Sequence, residues 1–192
     1  MSAVGPAKLR VAGQVADGVL LHPFSTRRYL AEESLARIGE GLERNSRERH
    51  EIDVVSGAFI ATGKDDEAVA RMKEYIRFRI SFYCSTRAYW NVLRLHGLEE
   101  LGEKLRPFPA AGRWSEMAAQ IPDDIVELFA VVGRHDELAS KIAQKYEGLA
   151  DTLSLFVPTD TEPGPLGEVM QDIQRIPATF TGYAKEPPRA AA

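Results

Sequence analysis

The chain has 192 residues, 44% of them hydrophobic, a net charge of −4 and a single cysteine, Cys84. That is enough apolar material for one sizeable core, and the acidic balance argues against nucleic acid, whose binders carry a basic face. One cysteine excludes an internal disulfide and a cysteine-rich zinc site, and no run approaches the roughly 18 apolar residues of a membrane span. The MSAVGPAKLR start has no apolar signal region. The composition predicts a soluble, cytoplasmic, globular protein.

Ala3-Val4 reads either as a strand stub or as the lead into the first helix. Gly5 lets the backbone turn, Pro6 suits the first helical position, and Leu9, Ala12 and Ala16 recur at helical spacing. Val19-Leu20-Leu21 is a short, fully apolar strand ending abruptly at His22-Pro23-Phe24-Ser25. A helix feeding such a strand points to a parallel sheet covered by helices. In these folds chemistry gathers beyond the carboxyl ends of strands. Ser25 is the expected N-cap of a helix over Thr26 to Arg44, with Leu35, Ile38 and Leu42 as its apolar stripe. A polar connection over 45–51 leads to a second strand, Ile52 to Ala61, and the spacing suits a right-handed strand-helix-strand unit.

From Asp65 the pattern turns helical. Val69, Met72, Ile76, Ile80 and Tyr83 make one buried face, and Ser85 is the expected cap of a further helix through Leu95. Shorter helices come next over Glu99 to Leu105 and Trp114 to Ile121, broken by Pro107, Pro109 and Gly112. Asp123-Asp124 then opens a helix with Ile125, Leu128 and Phe129 inward. This stretch is too long for an ordinary crossover and reads as a helical insertion. Val131-Val132-Gly133 restores apolar order before a helix over Asp136 to Tyr146. Leu149 to Val157 is the expected last strand, 158–165 a loop, and Leu166 to Ile176 the closing helix. Residues 1–182 form one expected domain, with 183–192 as a flexible tail.

Two helix starts could seat an anion. Gly5-Pro6 offers free amides, although such a turn also serves a purely structural start. Ser25-Thr26-Arg27-Arg28 combines hydroxyls, amides and guanidiniums after a strand end, or is an ordinary cap followed by solvated arginines. His22, directly after a strand, is the leading polar candidate, against the plain alternative of a hydrogen-bonded structural histidine. His50, His96 and His135 lack partners at a metal spacing and are expected at the surface. Cys84 is expected in the core. Phe78, Phe82, Tyr83 and Tyr89 would line a pocket or simply fill the core. Neither a nucleophile elbow, a Walker-type loop nor a complete dinucleotide fingerprint is present.

Three blocks carry a family resemblance: AVGPAKLRVAGQVADGVLLHPF; DVVSGAFIATG with the adjoining DDEAVA; and FAVVGRHDELASKIAQKYEGLADTLSLF. In order and spacing they resemble the luciferase-like monooxygenase superfamily, in particular its oxidoreductases dependent on the deazaflavin coenzyme F-420. The resemblance implies an α/β chain forming the C-terminal half of a TIM-type (β/α)8 barrel. Ala3-Val4, Val19 to Leu21, Val54 to Ala61 and Thr152 to Val157 would be strands five to eight, with the helical insertion before the last. It implies cofactor-tail contacts at Val4, Gly5, His22 and Ser25, and a small-molecule substrate with CH–OH or a related donor group. It leaves the catalytic residues unassigned, implies no metal, and admits FMN as an alternative cofactor. A half barrel exposes sheet edges, so a homo-oligomer or a complementing N-terminal half is the expected partner. A non-catalytic half that needs such a partner and a small independent α/β binding protein are the competing readings.

Overall fold

The computed structural model describes residues 1–155 and 163–182. Strand β1 (Ser2–Ala3), helix α1 (Pro6–Val15), strand β2 (Gly18–Leu21) and the 11-residue strand β3 (Asp53–Gly63) open the chain. Helix α4 (Asp66–Cys84) comes after β3. Strand β4 (Ala130–Arg134), helix α10 (His135–Tyr146), strand β5 (Thr152–Leu155) and helix α11 (Pro163–Gln174) close it. All pairings are parallel: β1 with β2, β2 with β3, and β3 with both β5 and β4. β5 lies along the first half of β3 (Val55 opposite Thr152) and β4 along its second half (Phe59 opposite Ala130).

The two faces of this sheet differ. Ala3, Val19, Leu21 and Val54 point into a core completed by Leu9, Ile38, Leu138 and Ile142 from the helices. Ser2, Leu20, Val55 and Thr152 share the opposite face by register, and Leu20 there remains 44% exposed. Further along that face, Phe59 and Ala61 are buried beneath the insertion, in a second core with Ile76, Ile80, Trp90 and Phe129. The insertion therefore roofs only the carboxyl half of β3.

The helix expected over Thr26 to Arg44 is continuous but not uniform. An α-helical turn α2 (Arg27–Tyr29) passes into a π-helical segment (Leu30–Leu35) and then α3 (Ala36–Arg44). α1 and α3 touch backbone to backbone. A Cβ on Gly13 would lie 2.1 Å from the Ile38 carbonyl oxygen, and one on Gly41 2.1 Å from that of Arg10. Only glycine permits this approach.

Several expectations change in detail. Thr26, not Ser25, caps α2: its side chain accepts the Tyr29 N–H at 3.1 Å, because Thr26 has the extended backbone of a cap. Ser85 ends α4 rather than opening the next helix, its hydroxyl donating to the Phe82 carbonyl. After a short 3-10 turn (Arg87–Tyr89) come α5 (Trp90–Leu95), α6 (Glu99–Leu105), α7 (Pro107–Ala110), α8 (Trp114–Ala118) and α9 (Asp123–Phe129). About four parallel strands are expected, and the sheet of the described residues has them with one more, because Val131-Val132-Gly133 pairs with β3 as β4. The insertion thus contains a strand as well as helices. β5 begins at Thr152, since Gly148 (φ 75°) ends α10 and Asp151 is tied down by hydrogen bonds. Residues 156–157 of the expected last strand, 158–162 of the expected loop and the 183–192 tail lie outside the described residues. The rest of that loop belongs to α11.

Candidate functional site

The carboxyl ends of β1 and β2 open side by side, because Ser2 and Ala3 pair with Leu20 and Leu21. Val4 and Gly5 leave the end of β1, and His22 to Ser25 leave the end of β2. Gly5 has φ 86° and ψ 158°, a region open essentially only to glycine. That turn starts α1 without a side-chain cap, so the first-turn amides behind Pro6 have no partner within the helix. Pro23 packs flat on β3, where a Cβ at Gly57 would meet the proline ring at 2.8 Å.

Val4, Gly5, His22 and Ser25, the four residues expected at a cofactor tail, line one small cavity of about 30 Å³, together with Tyr29, Leu30, Ser34 and Tyr89. The π-helical segment supplies Leu30 and Ser34 to its wall; such segments recur at functional sites. Ser25 is 3% exposed, and its hydroxyl has no hydrogen-bond partner among the described residues. A buried, unpaired hydroxyl is costly, and this one lies in the cavity beside the uncapped start of α1. The volume suits one or two oxygen-sized groups rather than a ring.

His22 belongs to this cavity and to a second, larger one. Its Nδ1 accepts the Phe24 N–H at 3.1 Å, and its ring lies 4.6 Å from those of Tyr83 and Tyr89. Burial, and then the positive charge of Arg79, lower its pKa to about 4. At neutral pH the ring is therefore uncharged, with its proton on Nε2 because Nδ1 is an acceptor. The larger cavity, about 360 Å³, lies between the open sheet face and α4. Leu20, Phe59, Ile60 and Tyr75 form apolar walls, with Ser2, Ser154, His22 and Arg79 as polar groups. The Arg79 guanidinium reaches the hydroxyls of Tyr75 and Tyr83 at 3.4 and 3.5 Å.

Other candidates resolve differently. Thr26 and Arg27-Arg28 do not join the small cavity. Thr26 Oγ1 lies 2.8 Å from His96 Nε2, and Arg28 pairs with Glu32. His96, expected at the surface, is thus a partner of the Thr26 cap. His135 contacts Thr62 Oγ1 at 3.1 Å. Cys84 is fully buried, and burial pushes its thiol up to about 12. Tyr83 and Tyr89 flank His22, whereas Phe78 and Phe82 are partly exposed. The described residues contain no group of three or more His, Cys, Asp or Glu side chains placed to hold a metal, and no helix long and apolar enough to cross a membrane. Sequence reasoning missed Arg79 and Ser34; each sits on a helix whose spacing alone gives no sign of a cavity.

The family model described as luciferase-like monooxygenase matches residues 1–152. An uncharacterized protein of Mycobacterium tuberculosis is 36% identical over 176 residues, covering 91% of this chain and 51% of that protein. The 5,10-methylenetetrahydromethanopterin reductase of Methanopyrus kandleri is 28% identical over 146 residues, covering 75% of this chain and 40% of the reductase. Among solved structures, the coenzyme F420 dependent tetrahydromethanopterin reductase of Methanopyrus kandleri superposes with a TM-score of 0.66 at 22% identity. It covers 92% of this chain and 48% of that one. An F420-dependent secondary alcohol dehydrogenase, solved with an F420-acetone adduct, superposes with a TM-score of 0.62 at 11% identity, over 90% and 47% of the two chains. The chain spans about half the length of the curated relatives it matches. Its parallel α/β fold is that of half a TIM-type barrel.

Proposed function

We propose that this chain, which belongs to the luciferase-like monooxygenase family, is the C-terminal part of a deazaflavin-dependent oxidoreductase using coenzyme F-420. Residues 1–182 make up its barrel domain. The observation that carries the reading is the pairing of the buried, unpartnered Ser25 hydroxyl with the uncapped start of α1 at Gly5. Together they offer a hydroxyl donor and backbone amides to an anionic oxygen of a coenzyme tail, and the helix dipole favours that charge. The two F420 proteins among the similar structures support this cofactor over FMN.

The deazaflavin, when bound, supplies hydride transfer; the protein supplies position and electrostatics. In this half, Val4 and Gly5 leave the backbone open to the tail, and Ser25 fixes one oxygen. Neutral His22 presents Nε2–H between the small cavity and the larger one, so it can orient a polar atom without adding charge. The apolar walls at Leu20, Phe59 and Ile60 exclude water from a small-molecule substrate.

A second reading rests on the open sheet face. Leu20 is 44% exposed, and among the described residues β1 pairs only with β2 and β5 only with β3. Parallel sheets ordinarily have both faces covered, so activity would require a complementing N-terminal half. Titrating the purified chain with oxidised and reduced F-420, and with FMN for comparison, tests the first reading. Saturable binding of the deazaflavin, tighter than FMN and weakened by Ser25→Ala, is expected; if neither cofactor binds, alone or with an added N-terminal half from a relative, the assignment is wrong. Activity that appears only on adding that half supports the second reading.

A further inference from the structure

Arg79 stands apart from the other arginines of α4. Arg71 pairs with Glu67, and Arg77 with Glu74 and Asp123. Arg79 pairs with no carboxylate among the described residues. Its partners are the phenol oxygens of Tyr75 and Tyr83, at the long limit of hydrogen bonding. It is half-buried and lines the 360 Å³ cavity. A half-buried guanidinium given only two weak neutral acceptors within the protein has unused donor capacity.

The rest of the cavity fixes the kind of anion that would use it. His22 lies on the same wall, its Nδ1 occupied by the Phe24 amide, so its other nitrogen is the available donor. Apart from the Ser2 and Ser154 hydroxyls, the remaining lining is largely apolar: the rings of Phe59, Tyr75 and Pro23, with Leu20, Ile60 and Leu155. One forked cation and one neutral donor match a single-charged, planar carboxylate. A phosphate dianion would bring two negative charges against the single positive charge of Arg79.

We propose that the cavity between β3 and α4 is a subsite for a small planar carboxylate, the Arg79 guanidinium pairing with the carboxylate and His22 Nε2–H donating to the same end of the ligand. This extends the oxidoreductase reading above by naming the substrate class, and rests on that reading only for the word substrate. The coenzyme tail at Gly5 and Ser25 and the carboxylate at Arg79 occupy separate cavities that share His22 as a wall.

Benzoate and its neutral counterpart benzamide are suitable probes, titrated into the full chain while the His22 ring and Arg79 side-chain resonances are followed by NMR. Benzoate is expected to bind about tenfold tighter than benzamide, shifting both sets of signals. Arg79→Met should abolish that preference, and Arg79→Lys should keep part of it, since charge remains but the fork is lost. Retained helical circular dichroism in both variants ensures that folding is not the variable. Equal binding of the two probes, or a benzoate preference that survives in Arg79→Met, overturns the proposal. F-420 titration of Arg79→Met separates the two ideas. Unchanged coenzyme affinity with a lost benzoate preference supports a distinct subsite, whereas lost coenzyme affinity reassigns Arg79 to the cofactor and overturns it. If wild type prefers benzoate yet binds no deazaflavin, the oxidoreductase reading fails while the carboxylate subsite stands.

Discussion

The two ends of the sheet solve opposite problems. At the amino end the polar groups gathered around Asp151 are matched. The Asp151 side chain, 3% exposed, pairs with Arg49 at 2.7 Å and accepts N–H bonds from Val54, Thr179 and Phe180 at 2.8 to 2.9 Å. The Met1 ammonium donates to Gly18, Arg49 to the Ile52 carbonyl, and the Asp53 N–H to the Asp17 carbonyl. At the carboxyl end Thr26 and His135 find partners, but other groups do not. Ser25 has a buried hydroxyl without a partner, Arg79 lacks a counter-charge among the described residues, and Gly5 holds a turn that only glycine adopts freely. In barrel folds the first end holds the structure and the second carries the chemistry; the contrast between Asp151 and Ser25 follows that division, while the buried Arg37 Nε and Tyr146 hydroxyl, also without partners among the described residues, lie on the covering helices.

The largest expected effect lies at the satisfied end. Burial works against charge on Asp151, but the Val54 and Phe180 amides and Arg49 outweigh it and hold the carboxyl below its usual range. Asp151→Ala would remove the acceptor of three amide N–H groups and the carboxylate partner of Arg49, and is expected to cost about 3–5 kcal/mol. Urea unfolding of wild type and variant measures it; a loss under about 1 kcal/mol would erase the contrast between the ends.

Gly5→Ala comes next. No atom lies within 4 Å of the added Cβ, so any cost comes from backbone conformation alone. About 1–3 kcal/mol is expected from forcing alanine into a glycine-only region. A thermal shift near zero would mean that the turn does not require glycine.

The third test uses pH. His22 titrates at about 4 when folded against 6.5 when unfolded, so the unfolded state binds more protons between those values and stability must rise with pH across the window. Lowering pH from 6.5 to 4 is therefore expected to weaken the wild-type fold. His22→Gln should remove that portion of the slope. The Asp151 carboxyl, held below the ordinary 3.8, loses its contribution only at lower pH, so the two ends separate in one titration series. An unchanged slope in His22→Gln would show that the histidine is not held neutral by the fold.

Much of this was legible in sequence. The apolar runs of β2 and β3 and the spacing of Ile76 and Ile80 specify parallel strands and a buried helix face, and Val4, Gly5, His22 and Ser25 do share a cavity. What sequence could not supply depends on distant partners. Asp151 reads as one polar residue in a strand until Val54, 97 residues away, donates to it. Gly13 and Gly41 read as neutral helix positions until α1 meets α3. β4 is three apolar residues and a glycine at heart, too short to outweigh the helices around it until β3 offers an edge. Between Ser25 and Thr26, adjacent hydroxyls, composition cannot choose the cap; backbone geometry chooses Thr26 and leaves Ser25 unused.

That unused hydroxyl gives the smallest stability effect and the sharpest contrast. Ser25→Ala deletes a buried donor that has no partner, so the folded protein loses no hydrogen bond and sheds a desolvation cost. Stability should stay level or rise by up to about 1 kcal/mol, the reverse in sign of Asp151→Ala. If Ser25 meets an anionic oxygen of the coenzyme, the same change should weaken F-420 binding about tenfold, the worth of one hydrogen bond to a charged group. A group that destabilises the free protein and strengthens the complex is what a binding residue, unlike a structural one, must be. A Ser25→Ala variant less stable by about 1 kcal/mol or more, with unchanged coenzyme affinity, would instead make Ser25 part of the core and return the mouth to ordinary structure.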